Sequence, residues 1–257
     1  MVFELKKAVL ICAWVFALPN MAHAQTYIGV SAGVSLPEDA RNKGEFTANA
    51  PATTLFPAIA NGTAVAWKTE YDADLNASVQ IGHRFDNGFR VEADLNYTRS
   101  AISKHSGMTF GSTNIDGRDA RILTRHDMAG PTPTVAEILN SDGGSEKSYG
   151  AFANVFYDIN SEGHLMPYIG AGAGLQRTEI DYRPSTVDLG QSKETNFAWQ
   201  VMAGATFKLT DRFELFGQYT YRDGGNTGLA LDVVPARIEH DSRQSIVAAG
   251  IRVALGK

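Results

Sequence analysis

The sequence predicts an all-β fold: an eight-stranded antiparallel up-and-down barrel that crosses a membrane and carries four long extracellular loops. Three observations carry that prediction. The N-terminus has the pattern of an export leader, the rest of the chain alternates with period two instead of forming a long apolar run, and its connections alternate long and short. A chain of 257 residues suits one such barrel, and 44% hydrophobic with 20% charged residues excludes gross disorder. The net charge of −5 leaves no basic footprint, so no nucleic-acid partner is expected.

The leader comes first. Lys6 and Lys7 precede an apolar run from Ala8 to Leu18, Pro19 breaks it, and Ala22-His23-Ala24 follows. This is the order of a secretory signal, with cleavage expected between Ala24 and Gln25, giving a leader over 1–24 and a barrel domain over 25–257. The run is shorter than the roughly 20 residues that a membrane helix needs. Cys12, the only cysteine, lies inside the leader, so the mature chain can form neither a disulfide nor a thiolate metal site. Ile11 before Cys12 does not suit a lipidation signal, which wants a small residue there.

Eight segments then alternate. Over 25–36, Ile28, Val30, Ala32 and Val34 oppose Tyr27, Gly29, Ser31 and Gly33. Over 73–85, Leu75, Ala77, Val79 and Ile81 oppose Asn76, Ser78, Gln80, Gly82 and Arg84. Asp86-Asn87-Gly88 is a hairpin turn, because Asn-Gly tolerates positive φ. The next segment is the clearest: Phe89, Val91, Ala93, Leu95 and Tyr97 alternate with Arg90, Glu92, Asp94, Asn96 and Thr98. The remaining five cover 148–159, 167–177, 196–209, 212–222 and 245–255. In the first of these, Phe152 and Phe156 share a face with Asn154 and Asp158, which leaves its orientation open.

The connections 35–72, 99–147, 178–195 and 223–244 are long, whereas 86–88, 160–166 and 210–211 are short. Outer-membrane barrels place long loops outside the cell and short turns in the periplasm, and a soluble barrel has no reason to put every long loop at one end. Tyr27, Tyr97, Tyr149, Tyr157, Tyr168, Trp199, Tyr219 and Tyr221 fall in or at the ends of strands, where interfacial aromatic belts are expected.

On these segments the chain resembles the opacity-protein and surface-antigen group of outer-membrane barrels, of the OmpX and OmpA barrel type. The resemblance rests on Tyr27-Ile28-Gly29-Val30-Ser31-Ala32-Gly33, on Gly82 through Glu92, on Asn154-Val155-Phe156-Tyr157-Asp158, on Pro167-Tyr168-Ile169-Gly170-Ala171-Gly172-Ala173-Gly174 and on Ala248-Ala249-Gly250-Ile251-Arg252-Val253. It covers the strands and not the loops. It implies residence in the outer membrane of a Gram-negative bacterium. The partners it implies are outer-membrane lipid, the assembly machinery with its periplasmic chaperones, and a host or cell-surface ligand met through the loops. Members commonly end on an aromatic residue, whereas this sequence closes on Leu255-Gly256-Lys257.

Motifs for chemistry are sparse. Gly29-Val30-Ser31-Ala32-Gly33 fits a nucleophile elbow but sits inside an alternating strand, without the strand–turn–helix context. Gly170, Gly172 and Gly174 are misspaced for a dinucleotide loop. His240 two residues before Ser242 is similar to the arrangement in outer-membrane lipid A deacylases, where the histidine would activate the serine; an exposed stretch of polar loop is the plainer reading. The histidines show no paired metal-ligand spacing, and Asp72, Asp74, Asp142 and Glu146 read as solvated loop charge, so neither a cofactor nor a metal is expected.

The best-defined constellation is the charged set on the polar face: Arg84, Arg90, Glu92, Asp94, Asp158, Lys208, Glu214, Arg222 and Arg252. An eight-stranded barrel has room for little beyond its own side chains, so these residues are expected to pair as an interior network. Three functional classes follow. The first is a non-enzymatic surface barrel displaying its loops as adhesin, antigen or envelope component; the second is a small ion-permeable channel; the third is a lipid-modifying enzyme. Of the loops, 50–67 is unusually apolar, and 99–147 mixes Lys104, Arg118, Arg121 and Arg125 with Asp116, Asp119 and Asp127.

Overall fold

In the computed structural model, residues 25–125, 132–140, 144–159, 163–182, 190–231 and 234–255 are described. The leader with its Ala24–Gln25 cleavage point, Asp127 and Asp142 therefore lie at or beyond the edge of the described residues, as do parts of the connections 160–166 and 178–195.

The strands are β1 (Gln25–Pro37), β2 (Ala40–Phe46), β3 (Ala64–Tyr71), β4 (Asp74–Arg84), β5 (Phe89–Phe110), β6 (Thr113–Asn114), β7 (Gly144–Asp158), β8 (Leu165–Tyr182), β9 (Gly190–Lys208), β10 (Phe213–Ala230) and β11 (Ala236–Ala254). Eight of them, β1, β4, β5, β7, β8, β9, β10 and β11, close an antiparallel ring, and β1 pairs β11 from Tyr27↔Ala254 to Pro37↔Gln244 to seal it. Apart from the closing pair, ring strands that follow one another around the wall also follow one another along the chain, and at 86–88 and 210–211 a short turn forces that antiparallel pairing. At the 86–88 turn Gly88 adopts φ 84°, and the Asn87 side chain accepts from the Phe89 backbone N–H (3.1 Å).

The lipid-facing rows emerge as expected from the alternation. Leu95, Val201 and Ile251 are exposed on the outer wall, whereas Glu92, Asp94 and Arg252 are buried. Phe89 meets Tyr157 edge to face at 5.3 Å near the short turns, and Tyr97 lies tilted against Tyr149 at 5.3 Å toward the long loops, which marks the two interfaces. The belt as read from sequence needs a correction: Tyr27 and Tyr168 are buried inside the barrel. Each has a hydroxyl that an interior of charged side chains can satisfy, so an aromatic on the polar face need not be an anchor. The open orientation of β7 is settled by the same logic. Phe152, Asn154, Phe156 and Asp158 all point inward, and Tyr149, Val155 and Tyr157 point out.

The larger correction concerns the long connections, which are not mere loops. β1 ends at Pro37 and β4 begins at Asp74, and above that level the β2–β3 hairpin takes their place in the wall. β2 pairs β11 from Ala236↔Phe46 to Glu239↔Lys43, and β3 pairs β5 between Val65↔Phe110 and Tyr71↔Ile102. β5 itself runs to Phe110, far past the membrane. Two short helices follow, α1 (Arg121–Thr124) and α2 (Val135–Leu139). Thr134 caps α2: its hydroxyl accepts from the Glu137 backbone N–H, and the Thr134 backbone N–H donates to the Glu137 carboxylate (2.7 Å).

Candidate functional site

Two interior environments are stacked along the barrel axis, and an apolar cap closes over them. Within the membrane, the barrel is filled by paired charges and rings. Arg84 donates to Asp158 (2.9 Å) and to both oxygens of Glu214 (2.7 and 3.1 Å). Arg90 donates to the Tyr27 hydroxyl (2.9 Å), Glu92 (3.2 Å) and Asp158 (3.4 Å), and Tyr27 donates to Glu92 (2.6 Å). Arg252 donates to Thr206 (3.0 Å) and lies 3.9 Å from Glu92. The two guanidiniums sit between aromatic faces, Arg90 at 4.0 Å from Phe156 and 4.9 Å from Tyr168, Arg252 at 3.8 Å from Phe216. One level higher, Arg222 stacks on Phe152 (4.4 Å) and donates to Gln200 (2.9 Å), which in turn donates to Asn154 (2.8 Å). Asp94 faces inward at this level, within electrostatic reach of Arg222.

The structure thus brings together eight of the nine expected charges in the barrel interior. Lys208 is the exception. It is in register with the inward face, but it lies at the periplasmic rim, is 40% exposed, and reaches back 3.9 Å to Asp211. A long flexible cation near a strand end stays in water when water is within reach. The Gly170–Gly174 series has a packing cause: a side chain on Gly170 would run into the Phe156 ring. Ser31 of the apparent elbow meets Ser78 (2.9 Å) across two strands, with no turn or helix nearby.

Above the Tyr97–Tyr149 level lies a second polar cluster, which the sequence did not disclose. Glu146 is buried, not loop charge. It accepts from Ser242 (2.9 Å) and from the Tyr71 hydroxyl (3.2 Å), and lies 3.1 Å from His240 Nε2. The other His240 nitrogen is 2.9 Å from Asn42 Oδ1; Asn42 donates to Thr69 (2.6 Å), and Thr69 lies 2.8 Å from His105 Nδ1. The chain of contacts runs from β7 through β11, β2 and β3 to β5, so it ties the inserted hairpin to the ring. Burial would push the Glu146 carboxyl up, but His240, Ser242 and Tyr71 together hold it below the usual carboxylate range. Burial and the neighbouring His240 push His105 down to about 4. His240 and Ser242 therefore lie on β11 in the interior instead of on an exposed loop, and both side chains contact Glu146. Among the described residues no group of three or more His, Cys, Asp or Glu is placed to hold a metal.

The cap has an apolar core of its own. Phe46, Ala50, Val65 and Trp67 from the first long connection pack with Met108, Phe110, Ile115, Leu123, Val135 and Leu139 from the second and Val234, Ala236 and Ile238 from the fourth. Phe46 meets Phe110 edge to face at 5.1 Å. The apolar stretch of the first connection is thus anchored in that core at Ala50, Val65 and Trp67, with Ile59 packed against it, and between these anchors it forms a surface tip. Arg125, at φ 56°, donates to the carbonyls of Pro51 and Pro57 (2.7 Å each), clamping a tip on which Leu55 stays half exposed. Asp116 accepts from the Gly107 and Met108 backbone (3.0 and 2.8 Å). Asp119 is held well below the usual carboxylate range by Arg121 and Thr132.

The wall, the filled interior and the one-sided connections agree with comparison to known proteins. The model of the outer membrane protein beta-barrel domain matches residues 8–234. The chain belongs to that family. It is an eight-stranded barrel of the outer membrane of a Gram-negative bacterium. An uncharacterized Brucella suis protein is 30% identical over 159 residues, 58% of this chain and 51% of that protein. An outer membrane protein of Gluconacetobacter diazotrophicus is 25% identical over 243 residues, covering 86% of this chain and 54% of its own. The chain spans about half the length of these curated relatives. Among solved structures, the outer membrane protein OprG from Pseudomonas aeruginosa shares the fold with a TM-score of 0.57 at 11% identity, over 91% of this chain and 98% of that one.

Proposed function

We propose that this family member is a non-enzymatic surface barrel, adhesin- or antigen-like, whose recognition element is the folded extracellular cap. The observation that carries this reading is the apolar core shared by the first, second and fourth long connections. Ordering a loop costs roughly 1–2 kcal/mol per residue in backbone entropy, and burying these side chains against one another offsets that cost. A cap built this way presents a fixed surface, and the clamped tip carrying Pro51, Leu55 and Pro57 is its most exposed apolar part.

The interior supports the same reading over a channel. Arg90, Arg222, Arg252, Phe156, Tyr168 and Met166 fill the lumen with almost no exposed surface, and removing any of these charges would leave its partners unpaired. Against an acyl-transfer enzyme stands the geometry of Ser242, whose hydroxyl donates to the Glu146 carboxylate, while the His240 ring is engaged by Glu146 and Asn42. The test is to change Leu55→Glu and Ala58→Glu on the tip, confirm a folded barrel, and measure adherence to host cells and to neighbouring bacteria. Adherence should fall. Unchanged adherence, together with loss on Glu214→Gln in a folded barrel, would move function into the interior.

A further inference from the structure

The polar cluster above the membrane is more than a hydrogen-bonded joint. Three of its atoms converge: Tyr71 Oη lies 3.0 Å from His240 Nε2 and 3.2 Å from Glu146 Oε2, and those two lie 3.1 Å apart. They form a nearly equilateral triangle, contributed by β3, β11 and β7. The His240 ring is oriented from behind. Asn42 donates its amide N–H to Thr69, so its Oδ1 faces His240 Nδ1 at 2.9 Å and accepts the proton there. In the neutral imidazole the Nε2 lone pair then points at the Glu146 carboxylate. Two acceptors face each other, and the single proton of the Tyr71 hydroxyl can serve only one of them. Ser242 fixes the carboxylate in turn by donating to its other oxygen, Oε1 (2.9 Å). Asn42, Glu146, His240 and Ser242 are all buried.

We infer that Tyr71, Glu146 and His240 form a binding site for a zinc-type divalent cation, which staples the inserted β2–β3 hairpin to the ring. A cation at the apex of the triangle replaces the acceptor–acceptor contact by three ligand bonds. The dimensions fit. Ligands about 2.0–2.1 Å from a tetrahedral zinc ion stand about 3.3–3.4 Å apart, so the three atoms need to spread by only a few tenths of an ångström. Imidazole and carboxylate are the usual nitrogen and oxygen ligands of zinc, and the phenol oxygen is the third donor; calcium and magnesium prefer oxygen alone. Asn42 and Ser242 are the outer partners that hold such ligands in place. All three ligand residues line a small polar cavity that also meets Glu38, Ser100 and Gln244, which gives a way in and room for water as the fourth ligand. The cavity lies where β1 gives way to β2, and the exposed Glu38 at its mouth attracts a cation. The site uses no residue of the cap tip, so this inference is independent of what the cap recognises.

The experiment uses the full chain folded in detergent micelles, stripped with a chelator and titrated with zinc chloride by calorimetry. One zinc ion per chain is expected. Glu146→Gln and His240→Gln abolish that binding. Tyr71→Phe keeps the ring, deletes one donor atom and weakens it. Asn42→Ala removes only the outer partner of His240 and weakens it about 10–100-fold. The control His83→Gln/His164→Gln, at the periplasmic end, stays at the parental affinity. A heat-modifiable mobility shift confirms that each variant is folded. Cobalt in place of zinc gives the visible absorption of a four-coordinate ion in the parent and not in Glu146→Gln, and zinc protects 40–71 from protease only in the parent. No stoichiometric binding by the parent, parental affinity in folded Tyr71→Phe and Glu146→Gln, or an equal loss in the histidine control would overturn the inference. Calcium bound as tightly as zinc would overturn the choice of metal.

Discussion

The membrane-spanning wall and the extracellular cap are built from one chain by opposite rules. In the wall the apolar residues face out, as Leu95, Val201 and Phe197 do, and the charges Arg90, Glu92 and Arg252 form the core. In the cap Phe46, Val65, Ile115 and Val135 are buried and the charges Arg118, Lys104 and Glu45 are exposed. The switch takes place within single strands: β5 carries Leu95 to lipid and Phe110 into the cap core. What differs is the solvent. Lipid imposes no penalty on exposed leucine, so the wall can use its interior for ion pairs. Water does, so the cap needs an apolar core of its own. The Glu146–His240–Asn42–Thr69–His105 relay lies at the boundary and joins the two regions by hydrogen bonds.

Substitutions that act on one region and spare the other sharpen this comparison. The largest effect is expected for Arg90→Met, which leaves Glu92 and Asp158 buried with a lost partner; a destabilisation of about 3–5 kcal/mol should appear as a lower urea midpoint for the whole barrel. Phe46→Ala should cost a similar ~3–5 kcal/mol, but only in the cap. New protease cuts within 101–139, with an unchanged heat-modifiable mobility shift, would show that confinement. If the barrel melts with it, the two regions are one cooperative unit. Val201→Arg places a charge in lipid and should cost about 2–4 kcal/mol in refolding yield into vesicles, whereas Leu55→Arg on the cap tip should stay within about 0.5 kcal/mol. The smallest effect is a pH dependence. His105 in the folded cap protonates only near 4, against an ordinary 6.5, so the unfolded cap takes up its proton first. Cap stability should be full above about 6.5 and fall as the pH drops toward 4, read by protease sensitivity, and His105→Asn should flatten that profile.

What the sequence disclosed follows from the same contrast. A membrane imposes strict alternation over a fixed length, so β4, β5, β9 and β11 were legible from residue type alone. Inside the barrel the alternation reports a face and not a role: Tyr27 and Tyr168 read as belt residues because only the three-dimensional neighbours, Glu92 and Gln218, reveal where their hydroxyls are satisfied. Lys208 has the inward parity, but its height on the wall is not encoded in parity. β2 escaped notice because its inward residues, Asn42, Gly44 and Phe46, are not uniformly apolar and one of its two partner strands, β11, lies far away in sequence. Glu146 looked solvated for the same reason, since Ser242 and His240 are nearly a hundred residues distant. One local signal was available for the cap: Thr134-Val135-Ala136-Glu137 is a capping box, and it starts α2.

Amide hydrogen exchange on the full chain in a bilayer tests most directly whether the cap is a folded unit. Backbone N–H groups that bond outside the membrane, such as those of Ala50, Ile115, Leu123 and Ala136, are paired at 2.8–3.0 Å. If the cap is folded on its own core, these amides exchange orders of magnitude more slowly than unstructured peptide, and Phe46→Ala releases them together while Ala93 and Val201 in the wall stay protected. Exchange at the unstructured rate in the parent would mean that the long connections are mobile loops, and the account of a preformed recognition surface would fail.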